Sequence, residues 1–339
     1  MSRGSEDDGN RKQDLIGALQ GYYATIILLQ LRRIGLLNKL VKPNTPENLA
    51  LELGVDRVML RGLLDFLVLT TNVVRQTRQG AYQLHDLSYA ELSFQLEKFA
   101  GAYGPATEAI GQTLPHPDKC ANHVDRRALA TAFSEVGSFR NSFVADLISA
   151  SGVRCLLDLG CGPASLLVDL ALKNPAFYGI GIDASAFMCR QANHAARAAG
   201  VTRQIEIRHA DARNLKQWLS PPLRNRVDGL HGSSFLNEFF GSGEIEAVKM
   251  LRALGQAFPG CKAWFVDYYS SISQRKGKRK ADFPLALLQD LAQIVSGQGV
   301  PPANATSWRR LYKQTGCRSV QVHEFESENI RWFIQEVTL

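Results

Sequence analysis

No apolar stretch of this chain approaches the roughly 18 residues that a membrane-spanning helix needs. The best candidate, Tyr22 to Leu31, runs directly into Arg32 and Arg33. The first dozen residues lack the apolar core of a signal peptide, so residues 1–12 read as a polar, disordered tail and no secretion is implied. Among the six cysteines, Cys120, Cys155, Cys161, Cys189, Cys261 and Cys317, there is no C-x-x-C and no ligand-like spacing. They read as reduced thiols of a cytoplasmic protein, with no metal expected. Aromatic residues are missing from the densest basic run, Arg275 to Lys280. The net charge of +7 therefore points to a mobile basic loop and acidic metabolites before it points to nucleic acid.

What is present starts at Val153. An apolar strand, Val153 to Leu159, runs into the turn Gly160-Cys161-Gly162 and then into an apolar helix. Residues without a Cβ let a ligand approach the backbone there, and the helix start offers free N–H groups. Dinucleotides and S-adenosylmethionine both use such a turn. The third glycine of G-x-G-x-x-G is replaced by Ser165, so the dinucleotide fingerprint is incomplete. Asp158, two residues before the first glycine, would repel a pyrophosphate but suit an ammonium-bearing tail. A second strand, Phe177 to Ile182, ends in Asp183, suited to holding two ribose hydroxyls. A third, Gln204 to Arg208, leads to Asp211, placed to accept from an adenine amino group.

In that order these pieces resemble the class I S-adenosylmethionine-dependent methyltransferases. The resemblance covers roughly residues 150 to 339 and implies an α/β, Rossmann-like domain over 151–339 with a mainly parallel sheet. It also implies S-adenosylmethionine as cofactor, held by Asp158, Gly160, Cys161, Gly162, Asp183, Ala184, Asp211, Ala212 and Ser233.

Upstream, apolar residues recur at helical spacing from Ile16 to Ile34. Thr45-Pro46 opens a second helix, and Gly54-Val55-Asp56 ends it and caps a third. Val73 to Arg75 and Ala81 to Leu84 then form a small wing. Helix-turn-helix with a wing suits a DNA-binding regulator that senses S-adenosylmethionine, but Arg57 to Leu67 carries few side chains that reach base edges. The segment Leu49 to Val55 resembles instead the winged-helix dimerisation domain of small-molecule O- and C-methyltransferases. That implies a homodimer built through residues 13–95, a helical linker over 96–150 covering the active site, and no nucleic-acid or membrane partner.

The loop after the fourth strand should see the reactive sulfonium. Methyltransferases of the resembling type place a histidine base there, and here Asn237 stands in that position; an amide takes no proton at neutral pH. Glu238 becomes a base if burial raises its pKa, or else caps the next helix. Asn141 and Arg140, from the helix expected over the cofactor mouth, are the other catalytic candidates, with Phe139, Phe143 and Arg309 as possible substrate contacts. Methyl transfer to a small acceptor, a 2-oxo acid carbon or a hydroxyl, is the leading expectation. The missing base leaves a second: cyclisation of S-adenosylmethionine alone to azetidine-2-carboxylate and methylthioadenosine, with Phe235, Phe239, Phe240, Tyr268 and Tyr269 against the sulfonium.

Overall fold

A computed structural model of the chain describes residues 3–85, 88–135, 139–274, 284–327 and 330–339; the side chains of 3–11, 134, 135, 139–141, 274, 319, 326, 327 and 330 lie outside that description. The basic run at 275–280 is likewise outside it. The chain divides into two compact units, Met1–Ala102 and Tyr103–Leu339.

In the first unit, helix α1 (Arg3–Arg33) begins well before the apolar pattern that announces it. Thr45 caps α2 (Pro46–Leu53) by accepting the N–H of Asn48, and Gly54, at φ 65°, closes it in the left-handed region. Asp56 then accepts from Met59 to open α3 (Arg57–Thr70). Strands β1 (Val74–Gln76) and β2 (Tyr82–Leu84) pair antiparallel. Leu36, Leu37, Leu49, Leu64, Leu67 and Tyr82 form the core of this unit. By contrast Leu15, Ile16, Leu19, Tyr22 and Tyr23 leave an apolar stripe of α1 exposed.

The second unit holds the seven-stranded sheet. Helices α4 (Arg126–Glu135) and α5 (Phe139–Ala150) precede β3 (Cys155–Leu159), α6 (Ser165–Lys173), β4 (Tyr178–Asp183), α7 (Ala186–Ala198), β5 (Ile205–His209), β6 (Gly229–Ser233) and α8 (Ile245–Ala257). After them come β7 (Lys262–Tyr268), α9 (Pro284–Val295), α10 (Ala305–Lys313), β8 (Ser319–Ser327) and β9 (Ile330–Thr338). The sheet order is β5-β4-β3-β6-β7-β9-β8. The first five strands are parallel, and the β9–β8 pair closes the edge antiparallel.

Side chains alternate between the two faces, as the pleat requires. Leu157, Leu159, Leu230 and Phe265 pack with α8 and α10 on one face. Leu156, Trp264 and Ile334 pack with α5, α6 and α7 on the other. Because β4 and β6 flank β3, the chain reverses its winding direction there, and the crevice outside the carboxyl ends of these strands is where such sheets bind ligands.

Helix α9 inverts the usual arrangement. Its buried face carries Gln289, Asp290 and Gln293, whereas Leu287, Leu288, Leu291 and Ile294 are exposed. Among the described residues no helix is long and apolar enough to cross a membrane.

Candidate active site

The turn after β3 is built around positive φ, 72° at Gly160 and 54° at Gly162, a region where a Cβ is costly. The N–H groups of Gly160 and Cys161 both donate to the Ile182 carbonyl, at 2.8 and 3.0 Å. The next N–H, of Gly162, donates to Asp183 Oδ2 at 2.9 Å, while Ser185 N–H donates to Oδ1 at 2.8 Å. One carboxylate thus ties the glycine turn to the end of β4. Each of its oxygens keeps a lone pair, which suits a vicinal diol. Burial pushes the Asp183 carboxyl up; the bonds from Ser185 and Gly162 oppose this.

Ala164, at φ 58°, precedes α6 and gives no side-chain cap, so that helix start keeps unsatisfied N–H groups. Cys161 is buried inside the turn, and a Cβ placed on Gly181 would stand 2.7 Å from its Sγ. Burial, with Asp158 and Asp183 nearby, holds that thiol well above its ordinary pKa.

The other two acids have side-chain partners within the protein. Asp158 is buried, and its Oδ1 accepts from Nδ1 of His231 at 2.7 Å. His231 lies beside it in register on β6, so it is the partner of the motif acid. Asp211 is gripped by Arg213, whose Nε and Nη2 reach its oxygens at 2.7 to 3.1 Å. That pairing lowers the Asp211 pKa. Ala184 is exposed and its carbonyl accepts from His209 Nε2 at 3.0 Å; Ala212 is buried and Ser233 is exposed.

Beyond β6 the backbone is strained at Ser234, a non-glycine residue at φ 52°. A 3-10 turn, Leu236–Phe239, follows. Asn237 is 1% exposed, and neither its Oδ1 nor its Nδ2 has a hydrogen-bond partner among the described residues. Its backbone N–H donates to Asp267 Oδ2 at 3.1 Å, and Tyr268 N–H donates to Oδ1 at 3.0 Å. Full burial raises the Asp267 carboxyl to about 8.

Burial also raises the Glu238 carboxyl, against the opposing charges of Arg213 and Arg126 and with help from Asp211 and Asp183. Tyr103 is pushed up to about 12 by burial and then by Glu238. Glu238 therefore shares one electrostatic neighbourhood with Asp183, Asp211, Arg126 and Tyr103. Asp267, Tyr103 and Arg126 carry no sequence motif and come from three separate segments.

The aromatic candidates separate. Phe235 and Phe239 meet edge to face at 5.3 Å beside the turn. Phe240 packs on Trp308, Tyr268 donates its hydroxyl to Asp290, and Tyr269 lies on Phe333 while bonding Glu324. Those three serve the core. Phe143 is exposed beside Phe325, and Arg309 is exposed. Phe139, Arg140 and Asn141 stand in the first turn of α5, with side chains outside the described residues.

The segment from β3 through Glu238, which contains the glycine turn, Asp183 and Asp211, matches the methyltransferase-domain family over residues 156–238. This chain carries a methyltransferase domain. A 3-hydroxy-5-methyl-1-naphthoate 3-O-methyltransferase of Streptomyces sahachiroi is 26% identical over 232 residues, 66% of this chain and 62% of that relative. The matched stretch thus spans under two thirds of the relative's length.

Among solved structures, the mitomycin 7-O-methyltransferase superposes with a TM-score of 0.74, covering 99% of this chain and all of that one at 16% identity. The human N-acetylserotonin methyltransferase, solved with S-adenosylmethionine, gives 0.70 over 97% of both chains, also at 16% identity. The chain thus shares the fold of these two structures.

Proposed function

We propose that the chain is an S-adenosylmethionine-dependent methyltransferase that acts on a small acceptor. Asp183 carries the reading: its carboxylate is fixed by two backbone N–H groups and keeps one acceptor site per oxygen for a ribose diol. The Gly160–Gly162 turn lets a ligand lie against backbone, and the uncapped start of α6 adds N–H groups for a carboxylate. Asp158, held by His231, supplies the negative charge that an ammonium group requires. These residues fit the cofactor, which when bound supplies an electrophilic methyl group.

Glu238 is the residue we assign as proton acceptor. Its raised pKa brings it closer to neutrality, where a general base works best. The Phe235–Phe239 pair belongs to the same turn. The related enzymes are named for a hydroxynaphthoate, mitomycin and N-acetylserotonin, which suggests a small, ring-containing acceptor from secondary metabolism. Calorimetry with S-adenosylmethionine on the wild type and Asp183→Ala, followed by detection of S-adenosylhomocysteine across a panel of phenols, amines and 2-oxo acids, tests the reading. Unchanged affinity in Asp183→Ala would overturn it.

One observation favours a second reading. The buried amide of Asn237 stands where the resembling enzymes carry a base, and it can orient an amine without protonating it. In that case the α-amino nitrogen of S-adenosylmethionine would form a bond to its own γ-carbon. Methylthioadenosine would leave with the C–S electron pair, and one N–H proton would be lost to Glu238 or to water. Mass spectrometry after incubation with S-adenosylmethionine alone separates the two readings.

The exposed stripe Leu15, Ile16, Leu19, Tyr22 and Tyr23 of α1 fits a second copy of the chain as partner. The six free cysteines fit a reducing, cytoplasmic compartment.

A further inference from the structure

Three side chains stand directly opposite one another across the sheet: Asp158 on β3, His231 on β6 and Trp264 on β7. They share the face that carries Leu156, Val266 and Ile334, so the acid and the imidazole lie in an otherwise apolar layer. Each of the two is 3% exposed. A buried carboxylate is costly unless a donor reaches it, and among the described residues that donor is His231 Nδ1, 2.7 Å from Oδ1. This ring nitrogen carries a proton, because it faces an acceptor. The other, Nε2, is buried without a partner among the described residues, as is Trp264 Nε1. The imidazole therefore has a single polar contact, and it is with the motif acid.

The opposite side of Asp158 has no side chain to offer. Its neighbour in register on β4 is Gly181, and a Cβ there would stand 2.7 Å from Cys161 Sγ. The glycine turn thus closes over the sheet immediately beside the carboxylate. Asp158 accordingly adds to the upward push on the Asp183 carboxyl and on the Cys161 thiol. The two acids that border the turn are fixed by different means, Asp183 by two backbone N–H groups and Asp158 by one side chain from another strand.

We propose that His231 is a positioning residue for the cofactor: by occupying Oδ1 it presents Oδ2 of Asp158 to the ligand's ammonium, and so sets the preference for S-adenosyl ligands with an amino-acid tail over the same nucleoside without one. The proposal rests on the methyltransferase reading above and deepens it at the amino-acid end of the cofactor. A charge-assisted bond to one oxygen fixes the carboxylate plane. Without it the acid is free to rotate and its charge is no longer aimed. The ribose end, held at Asp183, does not depend on the imidazole.

The test uses the full-length protein and two probes, S-adenosylhomocysteine and methylthioadenosine, which share the nucleoside and differ in the tail. Calorimetry is read for the wild type, His231→Leu, His231→Asn, Asp158→Asn and the combination of His231→Leu with Asp158→Asn. His231→Leu should weaken S-adenosylhomocysteine by about tenfold or more and leave methylthioadenosine within about threefold of wild type. In His231→Asn an amide N–H falls close to the place of Nδ1, which should restore S-adenosylhomocysteine affinity to within about threefold. Because the imidazole acts through Asp158, the double variant should bind S-adenosylhomocysteine no more weakly than Asp158→Asn alone. Equal losses for both probes make His231 a support of the fold and overturn the proposal. Unchanged S-adenosylhomocysteine affinity in His231→Leu, or additive losses in the double variant, also overturn it.

The wild type supplies a second readout that holds even where a variant fails to fold. With isotope-labelled histidine, S-adenosylhomocysteine should shift the His231 ring signals in the NMR spectrum and methylthioadenosine should not. Equal shifts from the two probes, or none from S-adenosylhomocysteine, overturn the proposal. Failure of the wild type to bind S-adenosylhomocysteine refutes the methyltransferase reading itself and is seen before any variant is compared.

Discussion

Replacing Asp267 by Asn should change the pH dependence of stability more than its mean. The carboxyl is fully buried and titrates near 8, against an ordinary value of 3.8. Below about pH 4 it is protonated in both folded and unfolded chains and costs nothing. As pH rises, the unfolded chain releases this proton first, so stability falls by about 1.4 kcal/mol per pH unit until the folded group also ionises near 8. The accumulated loss is on the order of 5 kcal/mol. Asparagine has no such slope. It does lose one of the two backbone bonds, because a single amide oxygen cannot serve both Asn237 and Tyr268 N–H, which costs about 1–3 kcal/mol at every pH. The variant should therefore be less stable than wild type near pH 4.5 and more stable near pH 8.5. Urea unfolding at a series of pH values measures the crossing directly. Two parallel curves would show that Asp267 is not the proton reservoir that its burial makes it.

Other consequences are quicker to test. Asp183→Ala removes the acceptors of two backbone N–H groups as well as the diol contacts, so S-adenosylmethionine affinity should drop about 10²–10³-fold and Tm should fall too. Calorimetry beside thermal unfolding would show whether the two losses accompany each other. Glu238→Gln should lower kcat about 10²–10⁴-fold with little effect on cofactor affinity; loss of cofactor binding instead would make Glu238 a structural acid. Since its folded pKa is raised, activity in the wild type should fall as pH drops through the upper carboxylate range, and the Gln variant should lose that limb. Leu19→Glu with Tyr23→Glu on α1 should yield monomers by sedimentation if the exposed stripe is a contact between copies, and no change in mass would remove that assignment.

The glycine turn and Asp183, on which the proposed cofactor site rests, were legible because they are local. The glycines, Asp158 and Asp183 sit within a few residues of a strand end, and a strand-turn-helix pattern shows as a switch of periodicity in the sequence. Caps such as Thr45 and Asp56 were readable for the same reason. What the acids bind was not readable. The contact between Asp158 and His231 spans 73 residues and depends on the sheet order, while Asp211 meets an arginine only two residues away whose side chain nothing in the pattern orients. Asp267 carries no motif, and its two backbone bonds come from the turn after β6 and from its own neighbour. Helix α9 was the least legible, because Leu287, Leu288, Leu291 and Ile294 look like a core stripe and the structure turns them outward. Hydrophobic periodicity identifies a helix face but does not say whether that face meets the core or another surface.

The thiol between the two glycines can report on the turn that holds it. Cys161 is sealed, kept protonated, and pressed against a strand position that has no room even for a methyl group. Oxidants and alkylating agents therefore reach it only when the turn opens, and its rate of modification reports that opening instead of intrinsic thiol reactivity. Once an oxygen or an alkyl group is added, the turn cannot close against β4 again. Damage at this sulfur should thus be slow, irreversible in effect and retarded by anything that holds the turn shut, so that a cofactor-saturated preparation outlasts an empty one in air.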